Sequence, residues 1–272
     1  MKPTMELDFA VRTHPGMVRS HNEDSVAIVP EVGLAILADG MGGYNAGEVA
    51  SGMATAVLKN DLTTDLREWY KELTRKGTTK LHTLLQARVT GANTAIFQSA
   101  QSQRQYAGMG TTLVIALFRD NNLTAAHIGD SRLYRVRAGE LVQITRDHSL
   151  LQDQIDAGMV TPEQAKLSLN KNLVTRALGV DPTVDAEIHD YETQAGDIYL
   201  LCSDGLSDMI PEAEILETLQ GQGADLEMAA STLVQKANDY GGRDNVSVIL
   251  VRVLPSKKTS NNLFARFINW LK

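Results

Sequence analysis

Residues 33–43 read GLAILADGMGG, and the rest of the chain can be interpreted outward from this stretch. The apolar run from Gly33 to Leu37 has the length of a buried strand, and an aspartate and a glycine-rich turn follow it at 39–43. Glycines leave a backbone open to close approach by other groups. The stretch therefore predicts a carboxylate at the edge of a sheet, within reach of a ligand.

Two other stretches repeat this arrangement of an aspartate at the end of a strand. Residues 197–201 form a strand-like run that leads to Asp204, and Asp244 stands just before the strand-like run 246–253. Hard divalent cations prefer carboxylate, carbonyl and water oxygens as ligands. Three aspartates at strand ends, far apart in sequence, therefore suit such a cation.

The composition is that of a globular protein without a basic surface. The chain has 272 residues, of which 43% are hydrophobic and 22% are charged, and its net charge is −7. This length is sufficient for a substantial core, and the negative charge argues against general nucleic-acid binding. The single cysteine, Cys202, excludes an internal disulfide and is interpreted as a buried small hydrophobe.

The chain has no apolar run of the roughly 20 residues that a membrane span needs, and its N-terminus lacks the pattern of a signal peptide. We therefore expect a cytoplasmic protein.

Strands occur in hairpins along this sequence, and helices occur in blocks. This order favours an antiparallel α+β architecture in one domain over alternating parallel units. The alternation and the helical spacing of apolar residues predict strands at 6–13, 25–29, 33–37, 111–118, 122–128, 133–136, 140–144, 184–189, 198–202 and 246–253. They predict helices at 46–58, 69–76, 80–103, 211–219 and 225–238, and one or two short helices within 147–166 that include a helix start at 161–163.

Eight short motifs, in order along residues 13–253, make the chain resemble the metal-dependent protein phosphatase 2C family in its compact bacterial form. Each motif is weak alone, but their shared order makes chance resemblance improbable. The motifs are GMVRSHNED at 16–24, DGMGG at 39–43, GMGTT at 108–112, GDSR at 129–132, DHS at 147–149, TRALG at 175–179, SDGL at 203–206 and DN at 244–245.

The resemblance implies a fold and a domain division. The family fold is a four-layer α-β-β-α sandwich of two antiparallel sheets flanked by helix pairs. Residues 1–254 would form the catalytic domain, with a mobile flap at about 146–178 beside the active site. Residues 255–272 would form a basic amphipathic tail.

The family reaction is hydrolysis of phosphoserine and phosphothreonine by a water activated between two Mn²⁺ or Mg²⁺ ions. By resemblance, Asp39 bridges the two ions and the carbonyl of Gly40 is a further ligand. Asp204 and Asp244 hold one ion, and Asp130 would join Asp204 at a third, weaker metal site. Each aspartate taken singly could instead be an ordinary turn former at a strand end.

Three further residues of the first motif have implied roles. Arg19 is the candidate phosphate-binding and catalytic residue, because a guanidinium can grip two phosphate oxygens at once. Glu23 and Asp24 would orient the waters around the ions from outside the ligand set. An ion pair of Arg19 with Glu23 or Asp24 is the structural alternative, and both roles could coexist.

The chain departs from the family pattern at two places. Met41 stands where the animal enzymes carry a histidine that is the proposed general acid, so the general acid is left unassigned. His21 could serve, although a structural role is at least equally expected, and His148 is expected to fix a loop. The flap carries Ser168 and Leu169 where many bacterial relatives have His-Pro, so flap-based inferences about substrates do not transfer.

The implied partners are phosphorylated proteins and a cognate bacterial Ser/Thr kinase. A catalytically dead scaffold that binds phosphoproteins is the alternative from another class. A phosphatase of anti-sigma-factor antagonists is a third alternative, but such proteins typically carry an added sensory domain that this length leaves no room for.

The tail at 255–272 carries four basic residues and no acidic one. It could lie on an anionic membrane surface, dock on a partner or fold back onto the body of the protein.

Overall fold

The computed structural model of the chain describes residues 5–43, 45–72, 78–161, 164 and 173–255. Within them, none of the helices is both long and apolar enough to cross a membrane. The strands are β1 Glu6–His14, β2 Asp24–Val29, β3 Leu34–Met41, β4 Gly110–Thr111, β5 Leu113–Arg119, β6 Asn122–Ile128, β7 Arg132–Arg137, β8 Glu140–Gln143, β9 Glu187–Glu192, β10 Ile198–Cys202 and β11 Val246–Leu254. The helices are α1 Ala46–Glu72, α2 Thr78–Ser102, α3 Leu150–Asp156, α4 Asp204–Ser207, α5 Glu212–Gln222 and α6 Leu226–Asp239.

The strands form two antiparallel sheets. Sheet I has the order β1-β11-β10-β7-β8. Sheet II has the order β2-β3-β5-β6-β9, and the short β4 pairs with the end of β3. The α+β class with two antiparallel sheets, expected from the sequence, is therefore confirmed.

The two faces of β3 belong to two different hydrophobic cores. Leu34 and Ile36 point towards α1 and α2, whereas Ala35 and Leu37 point towards sheet I. This division follows from the two-residue period of a strand, and it explains why the run is apolar at every position. The core between the sheets includes an edge-on contact of Phe118 with Tyr199, whose ring centroids lie 5.1 Å apart.

The outer face of sheet I is covered by α5 and α6 in a third core. Cys202 and Leu250 of the sheet pack there with Ile215 and Leu233 of the helices. One core thus lies between α1, α2 and sheet II, one between the two sheets, and one between sheet I and the helices α5 and α6. Cys202 is fully buried, and burial raises the pKa of its thiol to about 12, so it is a core residue.

The predicted helical residues 69–72 belong to α1, which runs without a break to Glu72, and 73–76 lie outside the described residues. Two other elements differ from the prediction. The strand predicted at 184–189 is β9, three residues later, at Glu187–Glu192. The short helix α4 at Asp204–Ser207 had no prediction.

The predicted helix start at 161 has support from its cap. The amide of Thr161 donates to Gln164 Oε1 at 2.9 Å, and the amide of Gln164 donates to Thr161 Oγ1 at 3.3 Å. This reciprocal pair is a capping box. Ser168, Leu169 and the tail at 256–272 lie outside the described residues.

Candidate functional site

Asp39 lies on β3, directly opposite Asp24 of β2 in the strand register. Its backbone is held by Thr112, which accepts the Asp39 amide proton at 3.0 Å on Oγ1 and donates its own amide to Asp39 O at 2.8 Å. The next residue, Gly40, passes so close to α1 that a Cβ atom there would lie 2.1 Å from the carbonyl oxygen of Gly47. Only glycine permits this approach of strand and helix.

Asp130, Asp204 and Asp244 lie at one end of three neighbouring strands in sheet I. Asp204 follows β10, Asp244 precedes β11, and Asp130 precedes β7. Both neighbours are antiparallel to β10, so these termini meet at the same edge of the sheet. The topology therefore brings together aspartates that are far apart in sequence.

Arg19 lies beside Asp244 in the described structure. Its guanidinium Nη2 is 2.6 Å from Asp244 Oδ2, and both side chains are partly exposed. The hydrogen bond to Asp244 raises the pKa of Arg19 further, so the guanidinium is charged. The structural alternative named the wrong partner, because the ion pair is made with Asp244 and not with Glu23 or Asp24.

Asn245 fixes the loop that carries Arg19, a role that the sequence did not indicate. Its Oδ1 accepts the amide proton of Glu23 at 2.7 Å, and its Nδ2 donates to the carbonyl oxygens of Pro15 and His21 at 2.9 and 2.8 Å. The side chain is buried. Three hydrogen bonds from one carboxamide thus tie residues 15–23 to the start of β11.

A second polar link joins the two sheets through Asp24. Ser203 Oγ, at the end of β10, donates to Asp24 Oδ2 at 2.8 Å and accepts the Ser247 amide proton at 3.0 Å. The other carboxylate oxygen, Asp24 Oδ1, is buried and has no hydrogen-bond partner in the described part of the chain. A buried acceptor without a donor is costly and is a position where a cation or an ordered water is expected.

The carboxylates of the site raise one another's pKa values. Burial, followed by the charges of neighbouring aspartates that include Asp130 and Asp244, raises the pKa of Asp204 to about 8. Burial raises the pKa of Asp24 to about 6. Burial and the charges of Asp24 and Asp204 hold the pKa of Asp39 well above its ordinary value. Burial, followed by the charge of a neighbouring aspartate, raises the pKa of Asp130 to about 6.

The donor atoms fit a hard divalent cation. The crowded groups are carboxylates with no cysteine or histidine among them, which is the preference of Mg²⁺ and Mn²⁺. A bound cation would offset the mutual repulsion of the aspartates. It would also be a positive partner for Asp24 Oδ1, which has no hydrogen-bond donor in the described residues. Mg²⁺ usually keeps several waters and takes few carboxylates per ion, so the aspartates need not converge on one point.

Asp208 is a further acidic group near the site that was missed. It lies at the end of α4, and its negative charge contributes to the raised pKa of Asp204 and of Asp130. Its position four residues after Asp204 was the available signal, since such residues share one face of a helix.

Three residues discussed in connection with the general acid or with a loop, Met41, His21 and His148, lie in different surroundings. Met41 is at the end of β3, where it pairs with Gly110, and it has no proton to donate. The His21 side chain is exposed on the Arg19 loop. His148 is buried, accepts the Gly129 amide proton and lies 3.3 Å from Glu187, so it holds a loop.

His148 also belongs to a second cluster of possible metal ligands. In the described ranges, one group of three His, Cys, Asp or Glu residues has ligand atoms within 4.8 Å of one another, and it consists of His127, His148 and Glu187. The two rings stack at 4.7 Å with an angle of 22°. Ring lone pairs lie in the ring plane, so those of two nearly parallel rings do not converge on one ion.

The hydrogen bonds of this cluster give it a structural role. His127 Nε2 bonds to the carbonyl oxygen of Arg146 at 2.7 Å, and His148 Nδ1 accepts from Gly129. Burial lowers the pKa of both imidazoles, so both are neutral near pH 7. The cluster ties residues 146–148 to β6 and β9, and it contacts Gly129, which precedes Asp130.

Comparison with known proteins shows the family of this chain. The family model described as Protein phosphatase 2C matches residues 17–237. The serine/threonine phosphatase stp of Listeria innocua is 37% identical over 250 residues, which are 91% of this chain and 95% of that protein. The protein phosphatase PstP of Mycobacterium tuberculosis is 42% identical over 92% of this chain and 46% of its own length.

A solved structure gives the same result for the fold. The catalytic domain of PstP in complex with two manganese ions superposes with a TM-score of 0.79 at 40% identity, over 92% of this chain and all of that one. The order of the motifs, the two-sheet fold and these matches have one explanation. The chain belongs to the protein phosphatase 2C family, in its bacterial serine/threonine phosphatase type.

Proposed function

We propose that the chain hydrolyses phosphoserine and phosphothreonine in proteins, with a water activated between two divalent ions, Mn²⁺ or Mg²⁺. The observation that carries this proposal is the crowding of aspartates from both sheets, with the charged Arg19 beside them. A site of this kind repels every anion unless cations occupy it.

The ligand set is taken from the resemblance, and the position of these residues at the strand ends supports it. Asp39 would hold both ions, the carbonyl of Gly40 would add a ligand, and Asp204 and Asp244 would hold one ion. Asp130 and Asp204 would hold a third ion more weakly. Glu23 and Asp24 orient waters, and Asp24 is itself oriented by Ser203.

When bound, two such ions lower the pKa of a shared water and stabilise the charge of an in-line displacement. The chain supplies the position of the phosphate. Arg19 has five N–H donors, and the contact with Asp244 uses one of its ends. The remaining donors can bind two phosphoryl oxygens while Asp244 keeps the guanidinium in place. We assign no side chain as the general acid, because Met41 cannot protonate a leaving alkoxide.

The wider assignment follows from this activity. We propose that residues 1–254 form the catalytic domain, with the flap at about 146–178, and that the enzyme opposes a bacterial Ser/Thr kinase in the cytoplasm. The tail at 255–272 remains a proposed contact with a membrane surface or a partner.

Hydrolysis of a phosphothreonine peptide by the purified protein tests the proposal, in Mn²⁺, in Mg²⁺ and in EDTA. We expect turnover with a divalent ion, none in EDTA, and a loss greater than about a hundredfold in Asp39→Asn, beyond the 10–100-fold typical of groups that only orient ligands. The exposed Asp239→Asn is the matched control and should keep full activity. A folded, metal-loaded wild type that turns over no phosphopeptide would favour the scaffold alternative.

A further inference from the structure

A groove lies between α3 and the segment that joins α4 to α5. It has a volume of ≈ 780 Å³, with Leu151 and Ile155 of α3 on one wall and residues 207–213 on the other. Arg132 and Asp147 also line it. A space of this size can hold two or three side chains of a bound peptide.

The groove borders the aspartate site. Asp208 lines the groove, and its amide donates to the carbonyl oxygen of Asp204 at 2.8 Å. Arg132 also lines it, two residues after Asp130. A chain whose phosphorylated residue is at the aspartates therefore has neighbours within reach of the groove.

The groove carries net negative charge. Arg132 is the single basic side chain among its described lining residues, and Asp147 neutralises it through a contact of 2.6 Å. The acidic residues Asp208 and Glu212 are exposed in the same lining. They leave the described part of the groove with more acidic than basic groups.

The walls of the groove are apolar beside these acidic groups. Leu151, Ile155 and Met209 line it, and all three are partly exposed. Arginine and lysine side chains have an aliphatic stem and a charged head, so they can pack the stem on apolar walls while the head meets a carboxylate. The combination of walls and charges is complementary to such a side chain.

We propose that this groove binds an arginine or lysine of the substrate, a few residues from the phosphorylated serine or threonine, and that the carboxylate of Glu212 pairs with its charged head. The inference rests on the proposed phosphatase activity and adds the substrate class. It also has an electrostatic reason, because the chain carries a net charge of −7 and a basic residue reduces its repulsion of a phosphorylated segment.

Two phosphothreonine peptides test the proposal, identical except for one Arg or Glu near the phosphothreonine. We expect kcat/KM to be about tenfold higher for the Arg peptide, since one charge contact is exchanged for a repulsion. Glu212→Lys should abolish the preference for the Arg peptide. Glu212→Gln should reduce this preference, and it places no positive charge at the start of α5, where the helix dipole disfavours one. Glu217→Lys, on the same helix outside the groove lining, is the matched control and should keep it.

Hydrolysis of a small aryl phosphate, which cannot reach the groove, should be unchanged within about twofold in all three variants, because the groove carries no metal ligand of the proposed site. Equal kcat/KM for the two peptides, or a preference that survives Glu212→Lys, would overturn the groove assignment. A wild type that hydrolyses neither peptide nor aryl phosphate would count against the proposed activity instead. Peptide affinity, measured by fluorescence anisotropy with EDTA present, would then decide the groove assignment alone, which requires tighter binding of the Arg peptide to wild type than to Glu212→Lys.

Discussion

The carboxamide of Asn245 does what no other side chain of its size can do at that position. It supplies one acceptor for the Glu23 amide and two donors for the carbonyls of Pro15 and His21. A carboxylate of the same shape would keep the acceptor and lose both donors. Asn245 therefore acts as a positioning residue for the loop that carries Arg19.

The variant Asn245→Asp tests this role. Two carbonyls would lose their donors and a negative charge would join the crowded aspartates, so we expect the unfolding free energy to fall by about 2 kcal/mol. Because the Arg19 loop is released, kcat/KM for a phosphopeptide should fall more than about tenfold. Asn122→Asp, on an exposed hairpin, controls for the chemical change. Full activity in Asn245→Asp would contradict the positioning role.

The raised pKa of Asp204, about 8, has a consequence for the metal-free protein. The folded state binds the Asp204 proton more tightly than the unfolded state does. Deprotonation therefore destabilises the fold, and this cost is absent below the unfolded pKa of about 4 and grows as pH rises towards the folded pKa.

In EDTA, Asp204→Asn should accordingly be more stable than wild type at about pH 8, by more than about 1 kcal/mol, because one pKa unit corresponds to about 1.4 kcal/mol. The advantage should shrink as pH falls and disappear at about pH 4. Urea unfolding of both proteins across this pH range measures it, and comparison with wild type cancels the other titrating groups. If Asp204→Asn were less stable than wild type at about pH 8, the charge of Asp204 would not destabilise the metal-free fold.

For single residues, the sequence predicts which residues belong to the site better than it predicts the partners that they contact. Aspartate followed by glycine at a strand end is visible in the pattern, so Asp39 and Asp204 could be selected as candidates. The partner of Arg19 is 225 residues away, at Asp244, and no local pattern encodes that distance. The polar links through Asn245 and Ser203 depend on the same long-range topology.

Among the elements, α4 and the start of β11 approach each other more closely than side chains allow. A Cβ atom on Gly205 would lie 1.9 Å from the carbonyl oxygen of Asn245. The glycine therefore lets the turn that carries Asp204 lie against the turn that carries Asp244.

The variant Gly205→Ala should push these two turns apart. We expect a loss of unfolding free energy of about 1–3 kcal/mol from the overpacked contact, together with weaker Mn²⁺ binding by calorimetry. Gly91→Ala is the matched control, because Gly91 is inside α2 and a methyl group there would have no other atom within 4 Å. This control should gain about 0.5–1 kcal/mol of stability. Unchanged Mn²⁺ affinity in Gly205→Ala would show that the contact does not position the site.

The elements were predictable where their periodicity is strong. The strands β6 and β10 begin and end where the pattern indicates, because both are largely apolar runs in buried positions. The strand β9 lies at the edge of sheet II with only partial burial, so its apolar residues do not mark its limits. The helix α4 has one turn, which is too short for helical periodicity to appear.

For the whole molecule, the important property is that the site draws on both sheets. Asp39 and Asp24 come from sheet II, whereas Asp130, Asp204 and Asp244 adjoin sheet I. Cations bound among them would connect the two halves of the sandwich. Such ions bind the folded chain and not the unfolded one, so they add to its stability by mass action.

Mn²⁺ should therefore raise the thermal midpoint of the protein. At a free concentration about 100 times the dissociation constant, the gain is about 2.7 kcal/mol. Differential scanning calorimetry in Mn²⁺ and in EDTA measures the shift, and Asp39→Asn should lose most of it. An equal shift in the variant would place the stabilising ion elsewhere.

The strand order of sheet I also determines when this sheet can fold during synthesis on the ribosome. The last strand, β11, lies between β1 and β10 and pairs Glu6 with Leu254. A nascent chain that has reached residue 192 possesses every strand of sheet II, whereas sheet I still lacks two of its central strands and Asp244. We expect half of the sandwich to form during translation and catalysis to begin only after residue 254 has emerged, so that unfinished chains cannot dephosphorylate proteins.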